Sequence, residues 1–198
     1  MSTSGHSSNP GSEPGASPPG RPRPALAADA PIALVGMMGA GKTVVGGALS
    51  AILGRRFADT DLLIADLTGQ TVSELFAKEG EAGFRARERA LAADLGRYRG
   101  HVLALGGGMF VGEENVMNIR RVALTIWLRA EVATLSARLG REGMAARPLL
   151  AGEAPAARLA DLLAVRSPWY AQAHLAFPTD GRTPGEVAQM IAAALACE

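Results

Sequence analysis

Gly36-Met37-Met38-Gly39-Ala40-Gly41-Lys42-Thr43 lies between a short apolar run, Pro31–Val35 (PIALV), and a stretch with helix-spaced apolar residues, Thr43–Leu53. It matches G-x-x-x-x-G-K-[ST] at every fixed position, in the strand–loop–helix context where that pattern binds phosphate. Glycines let the backbone curl so that successive N–H groups face inward, and the positive end of the following helix adds to the anion site. The expected nucleotide-binding stretch is Gly39, Ala40, Gly41, Lys42, Thr43 and Val44. Lys42 neutralises the β and γ phosphates there, and Thr43 offers its hydroxyl to Mg²⁺. A plain glycine-rich turn is the alternative, but such turns seldom carry Lys-Thr at this spacing. ATP or GTP is the implied ligand, and the loop alone does not choose between a kinase, an ATPase and a switch.

Outward from the loop, strand-like runs alternate with helical patterns. Val102–Leu105 and Val122–Leu128 read as further strands, with helical stretches near Thr71–Lys78 and Ala82–Leu95. Thr183-Pro184-Gly185-Glu186 starts the last helix, with Thr as N-cap and Glu reaching back. Such alternation predicts an α/β fold with a mainly parallel sheet covered on both faces.

Composition sets the limits. The 198 residues are 48% hydrophobic and 20% charged, with a formal charge of +1, which argues against a broad nucleic-acid surface. The single cysteine, Cys197, excludes an internal disulfide. No apolar run reaches the length of a membrane span. Residues 1–30 hold six of the 12 prolines and no aromatic residue, so they are expected to form a disordered tail; residues 31–198 form one domain. The tail is Ser-rich like an organelle transit peptide, but its prolines and lack of amphipathic period argue against one. A protein of a reducing compartment, the cytoplasm, is expected.

Five further stretches carry chemistry. Arg55–Asp61 (RRFADTD) ends 19 residues after Lys42, which places Asp59 and Asp61 at the end of the next strand, beside the phosphate loop. Two apart on a strand, they would share a face: one to hold the Mg²⁺ water shell, the other to accept a proton from a substrate hydroxyl. Gly83–Arg89 (GFRARER) opens a charged helix on which Glu88 can orient Arg85 for a bidentate grip on a carboxylate, leaving Arg87 and Arg89 to the solvated face. His101–Gly108 (HVLALGGG) is a buried strand ending in Gly106, Gly107 and Gly108, where close backbone approach and free N–H groups suit a ligand better than a hinge does. Arg138–Leu150 is basic and glycine-containing, as a lid closing over triphosphate would be, with Arg147 beside Pro148 the best placed to meet phosphate. Arg166, in VRSPWY, reads as the end of a helix, where the dipole favours a cation.

In order and spacing, GMMGAGKT, DTD, GFRARE, LGGG, ARPLL and the VRSPWY arginine resemble the shikimate kinase family, from residue 31 to about 196. The resemblance implies a monomeric three-layer P-loop kinase with a five-stranded parallel sheet flanked by helices, plus a mobile lid at about residues 138–152. It implies transfer of the γ-phosphoryl of ATP to the 3-hydroxyl of shikimate, in the pathway to chorismate and aromatic amino acids. By matched position, Asp61 contacts that hydroxyl and is the base; Arg85, Arg166 and the Gly106–Gly108 backbone hold the acid. Lys42 and Arg147 hold phosphates, Thr43 and Asp59 serve Mg²⁺, and Glu88 supports Arg85. Neither nucleic acid nor membrane is an implied partner.

Some positions depart from the family pattern. Lys-Thr-Val stands where many relatives have Lys-Ser-Thr, and Gly46-Gly47 where Gly-Arg is familiar. The lid is slightly longer, with Arg138 or Arg141 as lid arginines, and an adenine contact falls near Asp180–Arg182. A gluconate kinase using the same phosphate loop, and a non-catalytic ATP sensor, are the competing readings.

Overall fold

A computed structural model of the chain describes residues 25–142 and 155–196. Five strands, β1 (Ile32–Val35), β2 (Arg56–Asp59), β3 (His101–Ala104), β4 (Leu124–Arg129) and β5 (Leu175–Pro178), form one parallel sheet in the order β2-β3-β1-β4-β5. Every residue of β1 is buried, as a central strand covered on both faces requires. The helices are α1 (Lys42–Leu53), α2 (Thr60–Thr68), α3 (Val72–Ala93), α4 (Glu113–Val122), α5 (Val132–Glu142), α6 (Pro155–Tyr170) and α7 (Pro184–Ala196). The strand order reverses beside β1, whose neighbours are β3 and β4, so a crevice opens at the carboxyl ends of β1 and β3.

Local chemistry explains most boundaries. Gly41 enters α1 with φ 91°, a left-handed conformation that glycine adopts without strain. Thr183 and Glu186 close the expected capping box at α7, and Thr71 and Glu74 form another at α3. The two helical stretches expected between residues 71 and 95 are nearly continuous, broken only at Gly80, where φ is 68° and ψ −174°. β4 begins at Leu124 rather than Val122 because α4 runs on through Val122.

Two expectations need correction. Asp59 and Asp61 do not share a strand: β2 stops at Asp59, whose Oδ1 accepts the Asp61 N–H at 3.0 Å, so that the chain turns helical at Thr60. Arg166 does not end a helix; it lies inside α6, which continues to Tyr170. The docked chain also begins before residue 31. Arg55 donates to Ala28 O and Ala30 O, both at 2.7 Å, and Asp29 pairs with Arg99. Residues 1–24 of the expected tail lie outside the described residues. The expected lid starts within α5, and its part from residue 143, with Arg147, lies outside them too. Among the described residues, no helix is long and apolar enough to cross a membrane.

The two glycines that replace the familiar Gly-Arg pair have opposite surroundings. A Cβ on Gly46 would stand 2.5 Å from Phe57 Cε2, whereas one on Gly47 would meet nothing within 4 Å. Gly47→Ala is expected to stabilise the protein by about 0.5–1 kcal/mol, because glycine in a helix interior is penalised entropically. Gly46→Ala is expected to destabilise it by about 1–3 kcal/mol through overpacking. Denaturant midpoints of the two variants should therefore move in opposite directions.

Candidate active site

At the crevice, the residues read as phosphate ligands and the carboxylates line one cavity of about 150 Å³, bounded by Gly39, Lys42, Thr43, Asp59, Asp61 and Gly106. Val44 and Gly107 border it as well. Lys42 Nζ donates to Gly36 O at 2.9 Å and to Met37 O at 3.1 Å, which lays the ammonium across the phosphate loop. No side chain caps the N-terminus of α1, so its first-turn N–H groups face the cavity as an anion site. Ala40 is buried in the loop, its N–H donated to Met37 O at 3.1 Å.

Thr43 Oγ1 donates to Asp59 Oδ2 at 2.9 Å. A hydroxyl and a carboxylate oxygen side by side at a phosphate loop are the hard donors Mg²⁺ prefers. Among the described residues, no group of three or more His, Cys, Asp or Glu could hold a metal. So sparse a set fits Mg²⁺, which normally takes one or two protein oxygens and completes its shell with phosphates and water.

The far wall is a charged cluster built on the glycine triplet. Arg85 Nη1 donates to Glu88 Oε2 at 2.5 Å, and Nη2 to Glu81 Oε1 at 2.9 Å; Glu81 was not anticipated, although four-residue spacing marks it. Glu88 is only 1% exposed, and its Oε1 makes no hydrogen bond among the described residues. Burial pushes its carboxyl above the usual carboxylate range, the Arg85 guanidinium pulls against that shift, and the Asp61 charge adds to it. Arg166 is 6% exposed and donates to Gly107 O at 3.2 Å, so the helix-dipole reading of it fails. A Cβ on Gly106 would stand 2.5 Å from Asp61 Oδ1 and 2.8 Å from Glu88 Oε1; one on Gly108 would stand 2.5 Å from Arg85 Cζ. Gly106 and Gly108 are therefore steric requirements of the cluster. Arg87, expected on the solvated face, makes a two-point pair there with Glu79 at 2.7 and 3.1 Å.

Behind the loop lies a second cavity, of about 200 Å³, between Val44, Arg138, Thr179, Arg182 and Pro184. Arg138 binds Gly39 O at 3.3 Å and Thr179 O at 2.7 Å, which ties α5 to the loop. The Arg141 side chain lies outside the described residues. The expected adenine region near Asp180–Arg182 borders this cavity through Arg182. Thr179 and Pro184 were not anticipated, since residues 41 and more apart meet here only through the sheet.

A phosphate loop at the switch point of a parallel sheet, opposite two guanidiniums around a carboxylate, defines a P-loop small-molecule kinase. Residues 38–196 match the family Shikimate kinase. The chain is 46% identical over 157 residues to the shikimate kinase of Symbiobacterium thermophilum, covering 79% of this chain and 90% of that one. It superposes on the shikimate kinase from Acinetobacter baumannii in complex with shikimate with a TM-score of 0.80 at 37% identity, over 86% of this chain and 94% of that one. A gluconokinase from Sinorhizobium meliloti shares the fold, with a TM-score of 0.55, 16% identity and 85% and 93% coverage. The chain belongs to the shikimate kinase family.

Gly108→Ala is expected to drive the Arg85 guanidinium off Glu88 and to weaken binding of a carboxylate ligand by roughly tenfold or more. Nucleotide binding, which the phosphate loop carries, is expected to be unchanged. Calorimetric titration with shikimate and with ADP separates the two effects.

Proposed function

We propose that the chain catalyses ATP-dependent phosphorylation of the 3-hydroxyl of shikimate, on the path to chorismate. The observation that carries this reading is the placement of Asp61 between the phosphate loop and the Arg85–Glu88–Arg166 cluster, within one crevice. A hydroxy acid bound there by its carboxylate would present a hydroxyl to Asp61 and to the γ-phosphate together. Gluconate also carries a carboxylate; the family match and the closely packed Arg85–Glu88–Arg166 cluster favour the ring acid.

Lys42 and the loop N–H groups bind the β and γ phosphates, with Arg147 completing the grip from the lid segment. Thr43 and, through water, Asp59 would hold Mg²⁺, which would supply positive charge against the nucleotide phosphates. Arg85 and Arg166 bind the substrate carboxylate, and the Gly106–Gly108 backbone lines the ring. Asp61 orients the hydroxyl and accepts its proton as the new O–P bond forms and the bond from the γ phosphorus to the bridging oxygen of ADP breaks in line. A lid at about residues 138–152 keeps water from the phosphoryl group. We assign the enzyme to the cytoplasm as a monomer, with shikimate and ATP as its partners.

ADP release from purified protein with Mg-ATP is expected to depend strongly on shikimate and only weakly on gluconate, with a 3-phosphorylated product by mass. Lys42→Ala and Asp61→Asn are expected to lower turnover by roughly 10²–10⁴-fold with the melting transition retained. Release indifferent to shikimate would assign the site to another acceptor, and nucleotide binding without release would make it a sensor.

A further inference from the structure

Two buried hydroxyls, neither of them used by the chemistry above, grip the glycine triplet. Thr60 is wholly buried; its Oγ1 accepts the Gly106 N–H at 2.8 Å and donates to Ala104 O at 3.3 Å. Tyr170, equally buried on α6, donates its hydroxyl to Gly107 O at 2.5 Å, the same oxygen that Arg166 Nη1 reaches at 3.2 Å. Burial pushes the Tyr170 phenol up to about 12, so it remains a donor throughout the working pH range.

A carbonyl oxygen has two lone pairs, so Gly107 O can accept from both donors at once. An arriving carboxylate is a stronger acceptor than a carbonyl and competes for the Arg166 N–H groups. When Arg166 turns to it, Gly107 O loses one partner, and Tyr170 is the donor that stays. With no tyrosine hydroxyl, that movement would leave a buried carbonyl unsatisfied, which holds Arg166 on the backbone and away from the ligand. Thr60 acts two peptide groups earlier, on the Gly106 N–H. It fixes Gly106 against the end of β3, where a displacement would close the narrow gap that Asp61 and Glu88 occupy.

We propose that Thr60 and Tyr170 are positioning residues for the acid acceptor: their hydroxyls hold the Leu105–Gly106 and Gly107–Gly108 peptide groups, on either side of the Gly106–Gly107 peptide, so that Arg166 can exchange Gly107 O for the acceptor's carboxylate. This rests on the reading of Arg166 as a carboxylate ligand given under the proposed function.

Kinetics and calorimetry on the full chain test it with wild type, Tyr170→Phe, Thr60→Val and Thr60→Ser. Tyr170→Phe and Thr60→Val are expected to raise the KM and Kd for shikimate roughly tenfold, the consequence of one unsatisfied buried group. The KM for ATP is expected to stay at its wild-type value, and Thr60→Ser, which keeps the hydroxyl, to restore shikimate affinity. Melting midpoints within roughly 5 °C of wild type would accompany this, as both replacements keep the side-chain shape. A shikimate KM unchanged in both variants overturns the proposal, and so does an equal rise in the KM of both substrates, which marks general damage. If Tyr170→Phe fails to fold, the Thr60 pair decides: serine behaving like valine overturns the proposal. A wild-type enzyme inert toward shikimate would overturn the acceptor reading itself and this proposal with it. Active wild type with insensitive variants would overturn the proposal alone.

Discussion

Two carboxylates and two guanidiniums converge on a piece of backbone whose first and last glycines, Gly106 and Gly108, have no room for a Cβ. Asp61 and Glu88 approach the place where a Gly106 Cβ would sit, and Arg85 occupies the place of a Gly108 Cβ. Burying such charges is costly unless they are paired and hydrogen-bonded. Here the Arg85–Glu88 contact supplies the pairing, with Glu81 on the outer N–H group. The arrangement is a poor device for stability and a good one for geometry. A guanidinium clamped by two carboxylates keeps one orientation, which a planar, bidentate ligand requires.

The junction between β2 and α2 connects this cluster to the phosphate loop. Continuing the strand would have aimed Asp59 and Asp61 at the same side, with Thr60 opposite. Because Asp59 caps the helix, the three residues turn through helical steps and meet three different neighbours. Asp59 reaches Thr43 at the head of α1, Thr60 reaches the end of β3, and Asp61 lies against Gly106. One capping hydrogen bond, from the Asp61 N–H to Asp59 Oδ1, thus separates the carboxylate beside Thr43 from the one beside Gly106.

What could be read from the chain alone divides along the same lines. Local signals were legible: the phosphate loop, the α7 capping box and the glycine triplet announce themselves within a few residues, and the strand–helix alternation fixes a parallel sheet. Arg166 was legible as a motif member but not as a buried side chain, because VRSPWY contains a proline that reads as a helix end while α6 runs through Pro168. Long-range ties were not legible. Arg138 meets Thr179, and Tyr170 meets Gly107, only because β4 and β5 extend the sheet beside β1. No period or spacing in the sequence encodes those meetings.

The break in α3 shows how a feature that looks like surface decoration can govern the site. Residues Glu79 and Arg87 are eight apart, which on an unbroken helix separates them by about 12 Å along the axis. They nevertheless form a two-point ion pair, because the chain changes direction at Gly80. As an exposed pair it adds little stability. Its geometric effect is larger: it spans the break and sets the direction in which the second half of α3 leaves. That half carries Arg85 and Glu88 on the face toward Gly108 and Gly106. A change of a few degrees at Gly80 would be magnified over the turns that follow, so the position of the Arg85 guanidinium depends on one glycine conformation and one surface pair several residues away.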